Sequence, residues 1–363
     1  MFLAPKKIDW YIFRKFMGTF FVALLLIISI VIIFDVSEMI DDFVEKKAPL
    51  KAIIFDYYLN FIPYFINMYS PMFVFITVIF FTSKMASNSE IVAILSGGIS
   101  FHRMMVPYMV AAVIITILSL GLNLFVIPDA NKELVKFEQQ YTKEKPKKAS
   151  RNIHYQIAPG QFVYAESFSS WNNTAYKFTI ERIEDSKLVS KISAETAVYD
   201  TINGSWRLKK YFIREFNDDL TDDIRSGRQL DTIIPLSVKD FYFSENTVTT
   251  LNYSELNEMI RIQEMRGDAN VKHALIEKNT RFALPFSAIV LTIIGVSLSS
   301  KKRRGGIGWN IALGIALAFT YILFMRFSQM FVHTDTLSPA VALWLPNIVF
   351  ALIAIFLYRI APK

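Results

Sequence analysis

The residues able to carry catalysis are few and scattered. Four histidines, His102, His154, His273 and His333, fall on different segments and share no metal-ligand spacing. The chain has no cysteine, which excludes thiolate nucleophiles, cysteine-ligated metals and disulfides. No Gly-x-Ser-x-Gly elbow is present. Ser96-Gly97-Gly98 and Gly305-Gly306-Ile307-Gly308 are Gly-rich, but neither is followed by Lys-Ser/Thr at P-loop spacing. ATP hydrolysis by that motif is therefore excluded, and ATP-driven work would fall to another polypeptide. The second Gly-rich stretch reads as a turn between two apolar runs. The expectation is a non-catalytic chain that binds no cofactor and no metal.

The charges that remain lie in or beside long apolar runs. Hydrophobic residues make up 53% of 363, with 32 Phe and a mean hydropathy of +0.34, the composition of an integral membrane protein with an extramembrane insert. Six spans are predicted, at 16–40, 53–82, 104–127, 280–299, 307–331 and 339–358. Each is long enough for a hydrocarbon core of about 30 Å. Pro63 and Pro71 predict a kinked or locally broken second span. Lys6, Lys7, Arg14 and Lys15 resemble the charged start of a signal peptide, but the run that follows is too long for one, so it reads as a retained anchor.

The positive-inside rule then sets the topology. Lys6, Lys7, Arg14, Lys15, Lys84, Arg103, the 301–304 cluster, Arg359 and Lys363 share one side of a six-span arrangement. The short loops opposite hold Lys46, Lys47 and Lys51 beside three acids. Both termini are thus expected in the cytoplasm, and the central segment on the far side, the periplasm of a bacterium. The net charge of +7 reports this topology and not a nucleic-acid partner.

The central segment alternates at Ile153/Tyr155/Ile157, Phe162/Tyr164, Tyr176/Phe178/Ile180, Trp206/Leu208/Phe212 and Leu230/Ile234, divided by turn-forming pairs such as Pro159-Gly160 and Asn203-Gly204. Period two over short runs predicts an antiparallel sandwich or jelly roll. Residues 131–141 are helix-competent and continue the third span, and 254–265 form a helix leading back to the membrane. The predicted organisation is three spans (1–127), a periplasmic all-β, jellyroll-like domain with flanking helices (128–276), and three spans (277–363).

Within the spans, Asp35, Glu38 and Arg326 are costly in lipid and suit a protein or water-filled interior, with Asp35 or Glu38 a candidate partner for Arg326. Lys46 and Lys47 could meet lipid phosphates, or be ordinary loop charges balanced by their acidic neighbours. Between spans two and three, Ser89-Glu90-Ile91-Val92-Ala93-Ile94-Leu95 is too polar at its start to span and too apolar to be a solvated loop. It predicts a short helix capped by Ser89, with Glu90 complementing the helix dipole and an apolar face offered to a soluble partner. The alternative is an interfacial turn that only touches headgroups.

This pattern resembles the LptF/LptG family of permeases, the membrane subunits of the lipopolysaccharide-exporting ABC transporter, over nearly the whole chain. The resemblance rests on the order of spans and insert, on Ser89-Glu90-Ile91-Val92 … Ser96-Gly97-Gly98-Ile99-Ser100, and on Tyr253-Ser254-Glu255-Leu256 followed by Gly267. The compact length is LptG-like. The resemblance implies two six-span permeases around one cavity, an LptB-type ATPase dimer that uses ATP and Mg, and an LptC-type periplasmic bridge that receives the glycolipid. Ser89, Glu90, Ile91, Ile94, Leu95 and Gly98 would form the ATPase-coupling helix, with Glu90 at the family's coupling glutamate. Spans one and five would be lateral gates. Phe162, Tyr164 and Phe178 would cover acyl chains inside the β domain, or equally form its closed core. One departure is that the outer end of span one holds Asp35, Glu38, Asp41 and Asp42 where family members can present lysines. The rival readings are a lipid-modifying enzyme and a membrane-anchored scaffold or sensor with a periplasmic β binding domain.

Overall fold

The computed structural model describes residues 7–142 and 151–361, apart from 170, 202, 217–220, 237, 242–244, 269 and 302–305. Lys6, Lys302 to Arg304, Gly305 and Lys363, used above for topology and turn assignment, lie outside the described residues. The helices are α1 (Lys7–Glu45), α2 (Leu50–Ser87), α3 (Glu90–Ser96) and α4 (Phe101–Tyr141), then α5 (Glu245–Thr250), α6 (Tyr253–Arg266), α7 (Val271–Ser299), α8 (Gly306–His333) and α9 (Pro339–Ile360). The strands between them are β1 (Arg151–Ala158), β2 (Gln161–Ser169), β3 (Thr174–Glu184), β4 (Lys187–Asp200), β5 (Ser205–Phe216) and β6 (Asp222–Thr232). Among the described residues, six helices, α1, α2, α4, α7, α8 and α9, are long and apolar enough to cross a membrane. They overrun the predicted spans because an apolar run marks only the lipid-facing length, while polar ends continue the backbone ladder. One compact unit gathers these helices, and the second gathers the sheet.

In the helical unit α2 is the shared wall. Phe73, Val74, Val78, Phe81 and Met85 join a cluster with Ile12, Phe16, Phe20 and Leu24 of α1 and Met104, Tyr108 and Ala111 of α4. Phe75 and Ile79, on another side of α2, join a second cluster with Leu291, Tyr321 and Phe350 of α7, α8 and α9. Gly295 lets α7 approach, since a Cβ there would stand 2.9 Å from Val78 Cγ1. A third cluster forms around Phe43, Tyr57 and Phe137, where α1 and α4 extend beyond their apolar runs beside the start of α2.

The prolines do not break these helices. Instead, π turns at Ile53–Tyr58 and Leu122–Val126 precede Pro63 and Pro128. Each widens the helix by one residue ahead of a proline ring. In lipid, a carbonyl freed by proline needs another donor. Pro285 frees the Arg281 carbonyl, which accepts from Asn123 Nδ2 of α4 at 3.2 Å. Pro346 frees the Ala342 carbonyl, which accepts from Ser328 of α8. Around Pro285, Thr116 Oγ1 donates to the Pro285 carbonyl at 3.2 Å and Asn347 Nδ2 to the Ala283 carbonyl at 2.7 Å. Asn123 is itself held by Asn67 Nδ2 at 2.6 Å, and Asn67 by the Ser119 hydroxyl. The two halves of the bundle are joined by polar side chains aimed at the proline-containing stretch of α7.

The insert is all-β and antiparallel, as expected. Its strands follow one another up and down in sequence order, β1-β2-β3-β4-β5-β6, an order the sequence pattern left open. Tight turns at Gly160, Asp185-Ser186 and Gly204, all with positive φ, join β1 to β2, β3 to β4 and β4 to β5. A Greek key needs a long connection that skips a strand, and none occurs among the described residues. One sheet face is closed by the segment after β6. Ile234, Leu236 and Phe241 pack on Val163, Phe178 and Leu208, and Trp206 Nε1 donates to the Leu236 carbonyl at 2.8 Å.

A transverse row crosses this sheet. The registers place Asn152, Glu166, Lys177, Glu195, Lys210 and Arg228 opposite one another on successive strands. Asn152, Lys177 and Lys210, on alternate strands, have φ near +50°. Lys177 pairs with Glu166, and Lys210 with Glu195. At this row the pleat changes phase. Val163, Ala165, Phe178 and Ala194 are buried on one side of it, and Phe168, Ala175, Ala197 and Leu208 on the other. Strict alternation predicted Phe212 beside Trp206 and Leu208. The left-handed Lys210 turns the strand over, and Phe212 is exposed.

Candidate functional site: the short helix between α2 and α4 and its contact with α1

α2 ends with Ser89 in the left-handed region, φ 62°, with its amide donating to the Ala86 carbonyl at 3.1 Å. Ser89 therefore redirects the backbone into α3, and its side chain makes no capping bond. This corrects the expected Ser89 cap, because a left-handed residue cannot place its hydroxyl as an N-cap does. α3 closes in a Schellman motif. Gly98, φ 80°, donates to Leu95 and Ile99 donates to Ile94, at 3.0 and 3.3 Å. Gly98 serves here through backbone geometry that a side chain would strain.

The apolar residues of α3 face inward. Ile91 is 1% exposed, and Ile94 and Leu95 pack half-buried on the cluster shared by α1, α2 and α4. The expected outward apolar face is thus the helix's seat, since Ile91, Ile94 and Leu95 fall on one side of a seven-residue turn. The outer face presents Val92, Ala93, Ser96 and Gly97.

Glu90 opens α3 and is turned toward α1. Its carboxylate accepts from Tyr11 Oη at 2.7 Å, from Lys15 Nζ at 3.2 and 3.3 Å, and from Asn88 Nδ2 at 3.3 Å. Lys15 also donates to Tyr11 Oη at 2.6 Å, closing a triangle. Partial burial by itself raises the Glu90 pKa. The hydrogen bonds from Tyr11, Lys15 and Asn88 and the Lys15 charge outweigh it and hold the carboxyl below its ordinary range. Beside this triangle, Arg103 of α4 grips Asp9 of α1 in two parallel bonds, Nη1 to Oδ1 at 2.7 Å and Nη2 to Oδ2 at 2.5 Å. Sequence reasoning missed Tyr11, Lys15 and Asp9 as partners, because they lie 75 or more positions from Glu90 and Arg103.

The intramembrane charges are placed differently from expectation. Asp35 accepts from Tyr58 Oη at 3.0 Å and Tyr57 Oη at 3.3 Å, both on the π turn of α2. Arg326 is exposed on α8 and makes no ion pair among the described residues. Neither Asp35 nor Glu38, the two candidate partners, pairs with Arg326 among the described residues, and the π turn instead sets two phenols beside Asp35. Glu38 is exposed one turn further along α1, and Lys46 and Lys47 are exposed in the turn to α2. In the sheet, Phe178 is 1% exposed and stacked on Trp206, centroids 5.7 Å apart. Tyr164 is half-buried against His154, and Phe162 is 37% exposed.

Broad apolar faces are left uncovered on α1, α4, α8 and α9, with α1 and α8 the least buried of the membrane-length helices. α1 exposes Phe21, Val22, Leu25, Leu26, Ile33 and Phe34, and α8 exposes Ile315, Phe319, Leu323, Phe327 and Met330. Six membrane-length helices, a β-sheet inserted after the third, and a short helix between the second and third make up the architecture that the sequence resemblance implied. A search of curated proteins finds no significant match. Residues 10–360 match the family model described as the lipopolysaccharide export system permease LptF/LptG. With nearly its full length matched, this chain belongs to the LptF/LptG family of lipopolysaccharide export permeases, as a multi-pass membrane subunit.

Proposed function

We propose that the chain is one of two six-span permeases of an ATP-driven exporter, moving lipopolysaccharide or a similar glycolipid from the inner membrane to a periplasmic bridge of the LptC type. ATP and Mg are used by a separate LptB-type ATPase dimer, and this chain performs no catalysis. Both termini and α3 face the cytoplasm, and the sheet faces the periplasm.

The observation that carries this reading is α3. It is a short helix seated by Ile91 and fixed by Glu90, with an outer face of small and aliphatic residues suited to a protein groove. The bare faces of α1 and α8 suit the second proposal within it, that these helices flank the lateral openings toward the partner permease. Asp35, held by two tyrosines, fixes the far end of α1, and Lys46, Lys47 and Glu38 form the charged collar a headgroup would meet.

The test is purification of the tagged chain in mild detergent with identification of what accompanies it. An ABC ATPase together with a second six-span protein supports the proposal. Recovery of the chain alone, even after crosslinking, overturns it in favour of the scaffold or enzyme readings. Topology is checked separately, since the native chain lacks cysteine. A cysteine at Ser96 should react only from the cytoplasm, and one at Lys187 only from the periplasm.

A further inference from the structure

α3 is joined covalently to α2 and α4, and to α1 only through side chains. Among the membrane-length helices, α1 is the one whose middle is barest. Between Leu24 and Phe43 it buries no residue fully. Its α3 end is nevertheless fixed firmly. Ile12 and Phe16 share an apolar cluster with Ile91, Asp9 is held by Arg103, and Tyr11 and Lys15 close on Glu90. The side chains of Lys15 and Glu90 are each 27% exposed, so the pair is sheltered but within reach of solvent.

Glu90 therefore spends its carboxylate within the chain. Three of its four hydrogen bonds go to α1, and the fourth to Asn88 in the bend that precedes α3. We infer that Glu90 is the pin joining α3 to α1, and that Tyr11 and Lys15 are positioning residues that carry a displacement of α3 into α1. The inference rests on the proposed function, in which α3 receives the stroke of the ATPase and α1 borders the opening to lipid. Glu90 then acts by making α1 follow α3, and the outer face at Val92 and Ser96 meets the ATPase.

The arrangement is tested in the complete transporter, reconstituted in proteoliposomes with lipopolysaccharide as cargo. Three quantities are read together: ATPase retained on purification, ATP hydrolysis rate, and lipopolysaccharide released per ATP. Lys15→Met is expected to keep the ATPase and its hydrolysis while release per ATP falls about fivefold, the low end of a typical coupling between sites. Glu90→Lys alone should also lower release per ATP, and the exchange Lys15→Glu with Glu90→Lys should recover most of the loss. Unchanged release per ATP in Lys15→Met, or no recovery in the exchange, overturns the inference. A wild-type chain that retains no ATPase overturns the functional reading instead.

A second measurement stands independent of the variants' folding. Spin labels on cysteines at Arg14 and Ser96, both exposed, report the distance between α1 and α3. A distance that stays constant between nucleotide-free and ATP-bound transporter supports the pin. A distance that changes while labels across the bundle also move overturns it.

Discussion

Asn123 donates its side-chain amide to the carbonyl of Arg281, the oxygen that Pro285 leaves without a donor in its own helix. The bond joins α4 to α7, and hence the first three spans to the last three. Asn123→Ala is expected to destabilise the bundle by about 1 kcal/mol, the scale of interhelical hydrogen bonds measured in membranes. Adding Pro285→Ala restores the internal donor and should return part of that loss. Unfolding in mixed micelles, read by tryptophan fluorescence, measures both. Equal costs of Asn123→Ala with and without Pro285 would show that the amide does not serve the freed carbonyl.

Gly295 and Gly121 should respond oppositely to alanine. At Gly295 a Cβ would press on Val78, a stiff β-branched side chain on the central helix. At Gly121 nothing lies within 4 Å of the added atom. Gly295→Ala is expected to cost about 1–3 kcal/mol through overpacking. Gly121→Ala should be neutral or slightly stabilising, because alanine is the better helix former. Thermal unfolding of the two variants side by side gives the comparison.

The Glu90 contact predicts a pH dependence with a definite sign. Its folded pKa lies below the unfolded value, so the stabilisation is fully present above the unfolded pKa and is lost as pH falls through the folded one. The groups acting on it are Tyr11 and Lys15 of α1 and Asn88. Lys15, whose hydrogen bonds to Tyr11 and Glu90 hold its pKa above the ordinary value, keeps its proton throughout that range. The stability difference between wild type and Glu90→Gln should therefore be constant near neutrality and shrink only below the ordinary carboxylate range. A difference that instead closed on the alkaline side of neutrality would contradict the assignment.

Lys210 holds φ 50° in the middle of a strand. Left-handed backbone costs a residue with a Cβ about 1–2 kcal/mol, and glycine nothing comparable. The Lys210–Glu195 pair is well exposed and offsets little of that cost. Lys210→Gly is expected to raise the melting temperature of the chain, while Lys210→Val should lower it. Both variants remove the same charge, so the contrast between them reports the backbone.

The spans were legible because lipid demands uninterrupted apolar length, and that length is written residue by residue. The ends were not, since α1 and α4 run on through polar turns that pack on Phe43 and Phe137 beyond the apolar limit. Strand existence was legible from period two, yet topology and facing were not. Phe212 was assigned to the wrong face because nothing in a lysine announces a left-handed backbone. At α3, Glu90 was legible as a singular residue, and its partners were not, since Tyr11 and Lys15 meet it only through tertiary packing. The polar seam did leave a signal. Asn67, Asn123 and Asn347 interrupt apolar runs, and Pro285 and Pro346 each mark a carbonyl four residues earlier that must find a donor.

The charged row across the sheet has a consequence for how the strands find one another. A meander closed by short turns can still slip by two residues and keep its apolar face inward, because parity is preserved. Such a slip would move Lys177 from Glu195 to Ala197 or Ser193, and would take the left-handed positions of β1, β3 and β5 out of line. The pleat would then change phase at different heights on neighbouring strands, and Ala165, Ala175, Ala194 and Ala197 would no longer meet the large side chains they accommodate. The row works as a ruler mark, giving each incoming strand one height at which charge, backbone hand and side-chain volume all agree.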